Sequence, residues 1–176
     1  MKKFFTLISV VAVTGAFGTA SAVDRSGKIG LGYQEGFTTG LTGAGSANSK
    51  GAWSMKYGVS SEVNAQLTVG FDFVTKGGNN RANFGGRLLY DVVENENSDF
   101  YTGLGLLYDV DKNNNVLRVN VPLGFEWSFT GLPEVAFSAE AGIMWDYRTK
   151  GVKASSFSSV GGNVGGALGL GVHYYF

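Results

Sequence analysis

The twelve residues from Leu117 to Ser128 read LRVNVPLGFEWS, and two kinds of side chain alternate along them. Every odd position from Leu117 to Trp127 is a large apolar residue. The even positions from Arg118 to Ser128 are charged, polar, glycine or proline. Such period-two alternation is typical of a β-strand whose two faces meet different surroundings. The stretch therefore predicts a strand with one wholly apolar face.

The same alternation occurs eight times after residue 23, in the segments 29–34, 53–59, 66–73, 83–92, 100–110, 117–128, 135–146 and 164–176. None of the residues on the apolar faces is charged. The opposite faces carry Lys56, Asp72, Arg87, Asp91, Asp109, Arg118, Glu126, Glu140 and Asp146. Eight alternating segments predict an all-β domain of eight strands.

Parity alone does not say which face is inside, and a secreted barrel with an apolar interior is the alternative. The interior of an eight-stranded barrel is just wide enough for side chains to fill it. The apolar face carries all three Trp residues and many of the 13 Phe and 8 Tyr residues, whereas the polar face is rich in glycine. The bulky apolar face therefore points outward, which requires lipid.

An open sheet edge in hydrocarbon would leave backbone groups without partners, so the sheet must close. We thus expect a closed, antiparallel, eight-stranded up-and-down transmembrane β-barrel. Aromatic residues near the strand ends predict the two girdles found at membrane interfaces. One level comprises Tyr33, Trp53, Phe73, Phe84, Tyr108 and Trp145, and the other comprises Tyr90, Phe100, Trp127, Phe137, Tyr174 and Phe176.

The first 22 residues have the pattern of an export signal. Lys2 and Lys3 precede the apolar run from Phe4 to Val13, and the small residues from Ala20 to Ala22 fit a cleavage site. We expect cleavage after Ala22, which leaves residues 23–176 as one barrel domain. The formal net charge of zero gives no general reason to expect a nucleic-acid partner.

Loop lengths predict the orientation of the barrel. The connections 60–64, 94–98 and 130–133 are short, whereas 38–50 and 148–163 are long, polar and rich in Gly and Ser; 76–81 and 111–115 lie on the same side as the long ones. Bacterial barrels keep short turns in the periplasm and longer loops outside. Both termini are therefore expected in the periplasm, with four loops exposed to the environment.

These features together resemble the small outer-membrane β-barrel family of Gram-negative bacteria, the OmpA/OmpX type. The chain ends His173-Tyr174-Tyr175-Phe176, and a terminal aromatic preceded by alternating apolar residues resembles the signal that the barrel-assembly machinery reads in that family. The residues that supply the pattern are Leu168, Leu170, Val172, Tyr174 and Phe176. The resemblance implies location in the outer membrane, contact with its lipid and lipopolysaccharide, and a monomer.

Ionised side chains enclosed in a narrow lumen must be paired or hydrated. We expect Arg87 and Arg118 to bridge Glu126, Glu140 and Asp91 or Asp146, because the Arg fork offers five donors to carboxylates. The preferred interpretation is a salt-bridged plug, and the alternative is a polar ion path.

Pro122 cannot donate a hydrogen bond to its neighbour in the sheet. The sequence leaves two possibilities open there. One is a β-bulge, and the other is a partner inside the lumen for the freed carbonyl, such as Arg118 or a water molecule.

Enzymatic and metal chemistry find little support. The chain has one His and no Cys, and parity places His173 inside the barrel near the periplasmic rim. The segment 109–115 loosely matches a calcium loop but lacks its mid-loop Gly and terminal Glu. We therefore expect no enzyme, cofactor or metal site.

The predicted function is a structural or surface-interaction protein of the outer membrane with a closed polar lumen. The alternative is a small pore or lateral conduit for ions or small hydrophobic molecules.

Overall fold

The structure is a computed structural model that describes residues 24–35, 51–73, 80–113, 115–151, 155–159 and 168–176, without the side chains of 156–159 and 168. The predicted signal at 1–22 and the predicted loop at 38–50 lie outside the described residues. No helix within the described ranges is long and apolar enough to cross a membrane.

Nine β-strands make up the described regular structure. In chain order they are β1 (Ile29–Glu35), β2 (Gly51–Gly58), β3 (Val63–Asp72), β4 (Arg81–Asn95), β5 (Ser98–Asp111), β6 (Asn115–Phe129), β7 (Leu132–Lys150), β8 (Ser155–Ser159) and β9 (Leu168–Tyr175). Each predicted segment corresponds to one strand, and the last, 164–176, corresponds to β9 as far as it is described.

Every strand from β1 to β7 pairs antiparallel with its neighbour in sequence, and β9 pairs with both β7 and β1. The sheet is therefore closed. β8 lies along β7 opposite Ile143–Tyr147, and β9 lies along the same edge opposite Val135–Ala141. The two short strands thus fill one position in the wall, and the fold is the predicted closed eight-stranded up-and-down barrel.

The segment 155–159 corrects the sequence-based prediction. It was expected to lie within the long loop 148–163, but it forms β8, and β7 continues to Lys150. The Ser-rich sequence of β8 lacks the apolar alternation that identified the other strands, so its pairing with β7 left no signal. Residues 164–167 of the predicted eighth strand lie outside the described residues.

The wall of the barrel is apolar outside and polar inside. Large hydrophobic side chains point away from the barrel axis, among them Trp53 at 76% exposure and Leu104 at 57%. Charged side chains from the alternate positions are enclosed, including Lys56 at 2% and Asp146 at 1%. The predicted assignment of the two faces is therefore the observed one.

One register shift alters the predicted faces. β4 carries a bulge between Asp91 and Val93, and Val93 lies opposite the outward-facing Phe100 of β5. Strict alternation along the segment 83–92 predicts Val92 on the outward face, with Leu88 and Tyr90. The extra residue of a bulge shifts the alternation by one position, so Val93 takes the place predicted for Val92.

The two ends of the barrel differ. The turn end comprises 59–62, 96–97 and 130–131, the start of β1 and the end of β9, and Gly131 there has a φ of 90°, which favours glycine. The connections after β5 and β7 define the opposite end, called the loop end below. The side chains enclosed between these ends form the candidate site.

Candidate functional site in the barrel lumen

The middle of the lumen is filled by a hydrogen-bonded network centred on Arg87 of β4. Its guanidinium holds Glu140 of β7 through two contacts, Nη1 to Oε2 at 2.7 Å and Nη2 to Oε1 at 3.0 Å. Arg87 Nε also donates to Gln66 Oε1 at 3.0 Å, and the Tyr101 hydroxyl donates to Glu140 Oε1 at 2.6 Å. The buried carboxylate is therefore both paired and hydrogen-bonded, as an enclosed charge requires.

Glycines on the inner face of the wall make room for this network because they have no side chains. A Cβ atom at Gly124 of β6 would overlap the ring of Tyr101. A Cβ atom at Gly105 of β5 would overlap the amide oxygen of Asn120 and lie 2.6 Å from Cγ of Arg87. The inward-facing glycines thus leave space for long polar side chains in a narrow lumen.

A second cluster lies at the turn end, around Glu126 of β6. The Glu126 carboxylate forms ion pairs with both Arg25 and Lys56, and it accepts a hydrogen bond from the Tyr175 hydroxyl at 3.0 Å. Arg25 also pairs with Asp99 at 3.3 Å.

Burial is the largest single effect on the pKa of Arg25 and would lower it, but the charges of Glu126, Tyr175, Asp99 and Asp91 together outweigh burial and raise the pKa above its ordinary value. Arg25 therefore stays charged at this end of the lumen.

A third cluster lies towards the loop end. Arg118 Nε contacts Asp146 Oδ1 at 2.7 Å, and Arg118 Nη1 contacts Asp109 Oδ2 at 2.9 Å. Arg81 and Asp111 form a longer pair of 3.9 Å near the same end. Charged layers thus occur at three levels of the described lumen.

The structure places the five predicted lumen residues in three different layers. Arg87 lies against Glu140 and Arg118 against Asp146, while Glu126 contacts neither arginine. Asp91 accepts a hydrogen bond from Asn64 at 2.8 Å rather than from a predicted arginine. Arg87 and Arg118 thus each pair with one of the expected carboxylates, whereas Glu126 and Asp91 have other partners.

Sequence reasoning missed several members of this network. Lys56 has inward parity, but its partner depends on the stagger between strands, which period two does not determine. Arg25 precedes β1 and belongs to no alternating segment, so it gave no signal. Tyr101 and Tyr175 also have inward parity and were not assigned to the network.

The single histidine lies where parity placed it, inside the barrel towards the turn end. His173 Nε2 lies 2.8 Å from the hydroxyl of Ser54, which also accepts a hydrogen bond from Gln66 at 2.7 Å. His173 Nδ1 has no hydrogen-bond partner within the described residues. A catalytic Ser–His pair needs a third group to orient the imidazole, and the described neighbours of Nδ1 do not provide one.

Pro122 is accommodated without a bulge. It lies opposite Gly142 of β7 in an unshifted register, and its carbonyl accepts a hydrogen bond from the Thr102 hydroxyl at 2.9 Å. On the other side, the β5–β6 pairing passes from Thr102–Leu123 to Gly105–Asn120 without paired positions between them. The ladder is thus interrupted locally. The Pro122 carbonyl is bound by Thr102, which has outward parity, and not by Arg118 in the lumen as predicted.

The predicted girdle residues lie on the outer wall. Tyr33 pairs in register with Trp53, and the rings of Phe84 and Tyr108 lie 5.6 Å apart. Towards the turn end, the ring centroid of Trp127 lies 5.4 Å from Phe125 and 5.8 Å from Phe137. Trp145 is also outward, with 43% exposure.

The residues proposed as an assembly signal lie on β9 and at the end of the chain. Leu170, Val172, Tyr174 and Phe176 are exposed on the outer wall. The backbone of Leu168 starts β9, while its side chain is outside the described part of the structure.

Within the described ranges, no group of three or more His, Cys, Asp or Glu side chains is arranged to hold a metal ion.

Comparison with known proteins gives one informative likeness. No family model matches the chain. No curated protein matches it in sequence. Among solved structures, it is similar to the N-terminal β-barrel domain of Pseudomonas aeruginosa OprF, with a TM-score of 0.53 and 14% sequence identity. The alignment covers 86% of this chain and 98% of that domain. At this level of identity the likeness shows that the two share a fold.

Proposed function

We propose that the chain is an integral outer-membrane β-barrel protein with a structural and surface-interaction role. One observation carries this proposal: in the closed barrel, the described outer wall is apolar and charged side chains are enclosed in the lumen. A surface that exposes large residues such as Trp53, Phe71 and Leu104 is far more apolar than soluble monomers tolerate. Lipid is the solvent that such a wall fits. The fold shared with the OprF barrel domain supports the same proposal.

The lumen supports a plug more than a pore. Arg87 and Glu140 meet across the middle of the barrel, and their side chains are 4% and 0% exposed. A second ion pair, between Arg118 and Asp146, lies one layer further towards the loop end. Filling of this kind stiffens the barrel and leaves the loops as the surface for interactions.

The proposed partners follow from these surfaces. Membrane lipid and lipopolysaccharide would contact the outer wall, and the barrel-assembly machinery would read the alternating residues that end at Phe176. Export would use the predicted signal at 1–22, and the protein would be a monomer. We also propose that it has no enzymatic activity, since its buried Ser54–His173 pair lacks an orienting group among the described residues.

Cell fractionation and gel migration test the proposal. The protein should be found in the outer-membrane fraction, and unheated protein should migrate anomalously on a denaturing gel and shift after boiling. A soluble protein without a heat-dependent shift would contradict it.

Recordings in planar bilayers distinguish the plug from the alternative pore. Purified protein should give no conductance steps, and regular single-channel steps would favour the pore.

A further inference from the structure

The segment Asp24–Lys28, called the strap below, folds across the turn end of the barrel before β1 begins. Ser26 forms a parallel bridge with Gly58 at the end of β2, and the Gly27 amide donates to the Gly58 carbonyl at 2.8 Å. The Gly58 amide in turn donates to the Lys28 carbonyl at 3.1 Å. The strap is therefore fixed to the wall by its own backbone hydrogen bonds.

Two glycines permit this course of the chain. Gly27 has a φ of 73°, a conformation that favours glycine. A Cβ atom at Gly58 would overlap the carbonyl oxygen of Arg25. The strap can thus approach β2 closely only because position 58 has no side chain.

The strap carries Arg25 into a pocket that is built for a guanidinium group. Arg25 Nη1 pairs with Glu126 and with Asp99, and Nη2 donates to the Ser128 hydroxyl at 3.2 Å. The guanidinium carbon lies 4.6 Å from the centre of the Tyr175 ring, which is cation–π geometry. Two carboxylates, a hydroxyl acceptor and an aromatic face match the planar, charged fork of guanidinium.

The charge around this pocket would be negative without Arg25. The carboxylates of Glu126, Asp99 and Asp91 lie towards the turn end, and the other cation paired there in the described lumen is Lys56, which contacts Glu126. Removal of one cation from such a group leaves buried negative charge without a partner, which attracts any cation that can enter.

We propose that the turn end of the barrel is a guanidinium-binding site which the chain's own Arg25 occupies, and that this occupancy seals the lumen. The inference adds a site and a closure to the proposed function, and it does not depend on where the protein is located. Its ligand class is a small alkylguanidinium, which would replace the Arg25 side chain when that side chain is absent.

A single cysteine behind the strap can report on the seal, because the natural sequence has none. Ala136 of β7 is fully buried and lies in register with Ser128, the residue that Arg25 contacts. The experiment measures the modification rate of Ala136→Cys in folded protein in detergent micelles, with cationic and anionic methanethiosulfonates of similar size.

With Arg25 intact, modification should be slow for both reagents. In the Arg25→Gln background it should become faster by an order of magnitude or more, and the cationic reagent should react faster than the anionic one. Addition of methylguanidinium should slow it again. The matched control is Lys28→Gln, which removes one positive charge from the exposed end of the strap and should leave the rate unchanged.

A second variant keeps the inference testable if Arg25→Gln fails to fold. Gly58→Val leaves Arg25 and the pocket residues unmutated, but its side chain should push the strap away from β2. Because the strap carries Arg25, this variant should also accelerate modification. The inference is overturned if modification is no faster in either background, if Lys28→Gln accelerates it equally, or if methylguanidinium gives no protection in the folded Arg25→Gln protein.

Discussion

Replacement of Arg87 by Met should destabilise the barrel strongly. The substitution keeps an unbranched side chain of similar length but removes both contacts to the Glu140 carboxylate and the donor to Gln66. Glu140 would remain enclosed, with the Tyr101 hydroxyl as its remaining hydrogen-bond donor among the described residues. Removing one partner of a buried ion pair typically costs about 3–5 kcal/mol. We therefore expect the free energy of unfolding to fall by about that amount.

A more exposed pair at the loop end provides the control for this variant. Arg81 is 36% exposed and its Nε lies 3.9 Å from Asp111 Oδ2. Exposed ion pairs contribute about 0–1 kcal/mol, so Arg81→Met should change the free energy of unfolding by no more than that. Both variants lose one positive charge, and they differ in the burial of the arginine and in the closeness of its contacts.

A double variant separates the ion pair from other effects. Arg87→Met combined with Glu140→Leu removes both charges of the pair, so no buried carboxylate is left without a partner. The double variant should therefore recover much of the stability lost in Arg87→Met. Equilibrium unfolding by urea in detergent micelles, followed by Trp fluorescence, measures five proteins: the natural one, Arg87→Met, Arg81→Met, Glu140→Leu and the double variant. If Arg87→Met loses no more stability than Arg81→Met, or if the double variant loses the sum of its single losses, the buried pair does not hold the lumen as described.

Three further predictions concern thermal unfolding, the heat-dependent gel shift and unfolding from a bilayer. Arg118→Ala should lower the unfolding temperature because Asp146 loses its partner, and unchanged thermal resistance would count against a plug. Gly124→Val should displace the ring of Tyr101 and lower the temperature at which the heat-dependent gel shift occurs, whereas an unaltered shift would contradict the close packing. Leu104→Arg on the outer wall should cost about 2–4 kcal/mol in a bilayer, and a negligible cost would place Leu104 outside the hydrocarbon.

The barrel itself could be predicted from the sequence because alternation is a local signal. The odd-numbered residues from Leu117 to Trp127 face outward as the parity requires, and the volume of the three Trp residues decided which face that was. The bulge between Asp91 and Val93 could not be predicted, since Val92 and Val93 are both apolar and either could continue the outward face.

The candidate site was less predictable because its contacts join distant strands. Arg87 and Glu140 are 53 residues apart, and they meet only because of the stagger between β4 and β7. Arg25 could not be assigned at all, because it enters the lumen from a segment without alternation. Parity therefore identifies which side chains are enclosed, whereas the three-dimensional register decides which of them pair.

The central claim is that the described outer wall of the barrel faces lipid, and the three natural Trp residues test it most directly. Trp53, Trp127 and Trp145 all project from the outer wall, near its aromatic levels. In vesicles that contain brominated lipids, their fluorescence should be quenched strongly, and more by bromine near the headgroups than by bromine near the bilayer centre. Strong quenching by aqueous acrylamide with none by brominated lipid would contradict the claim.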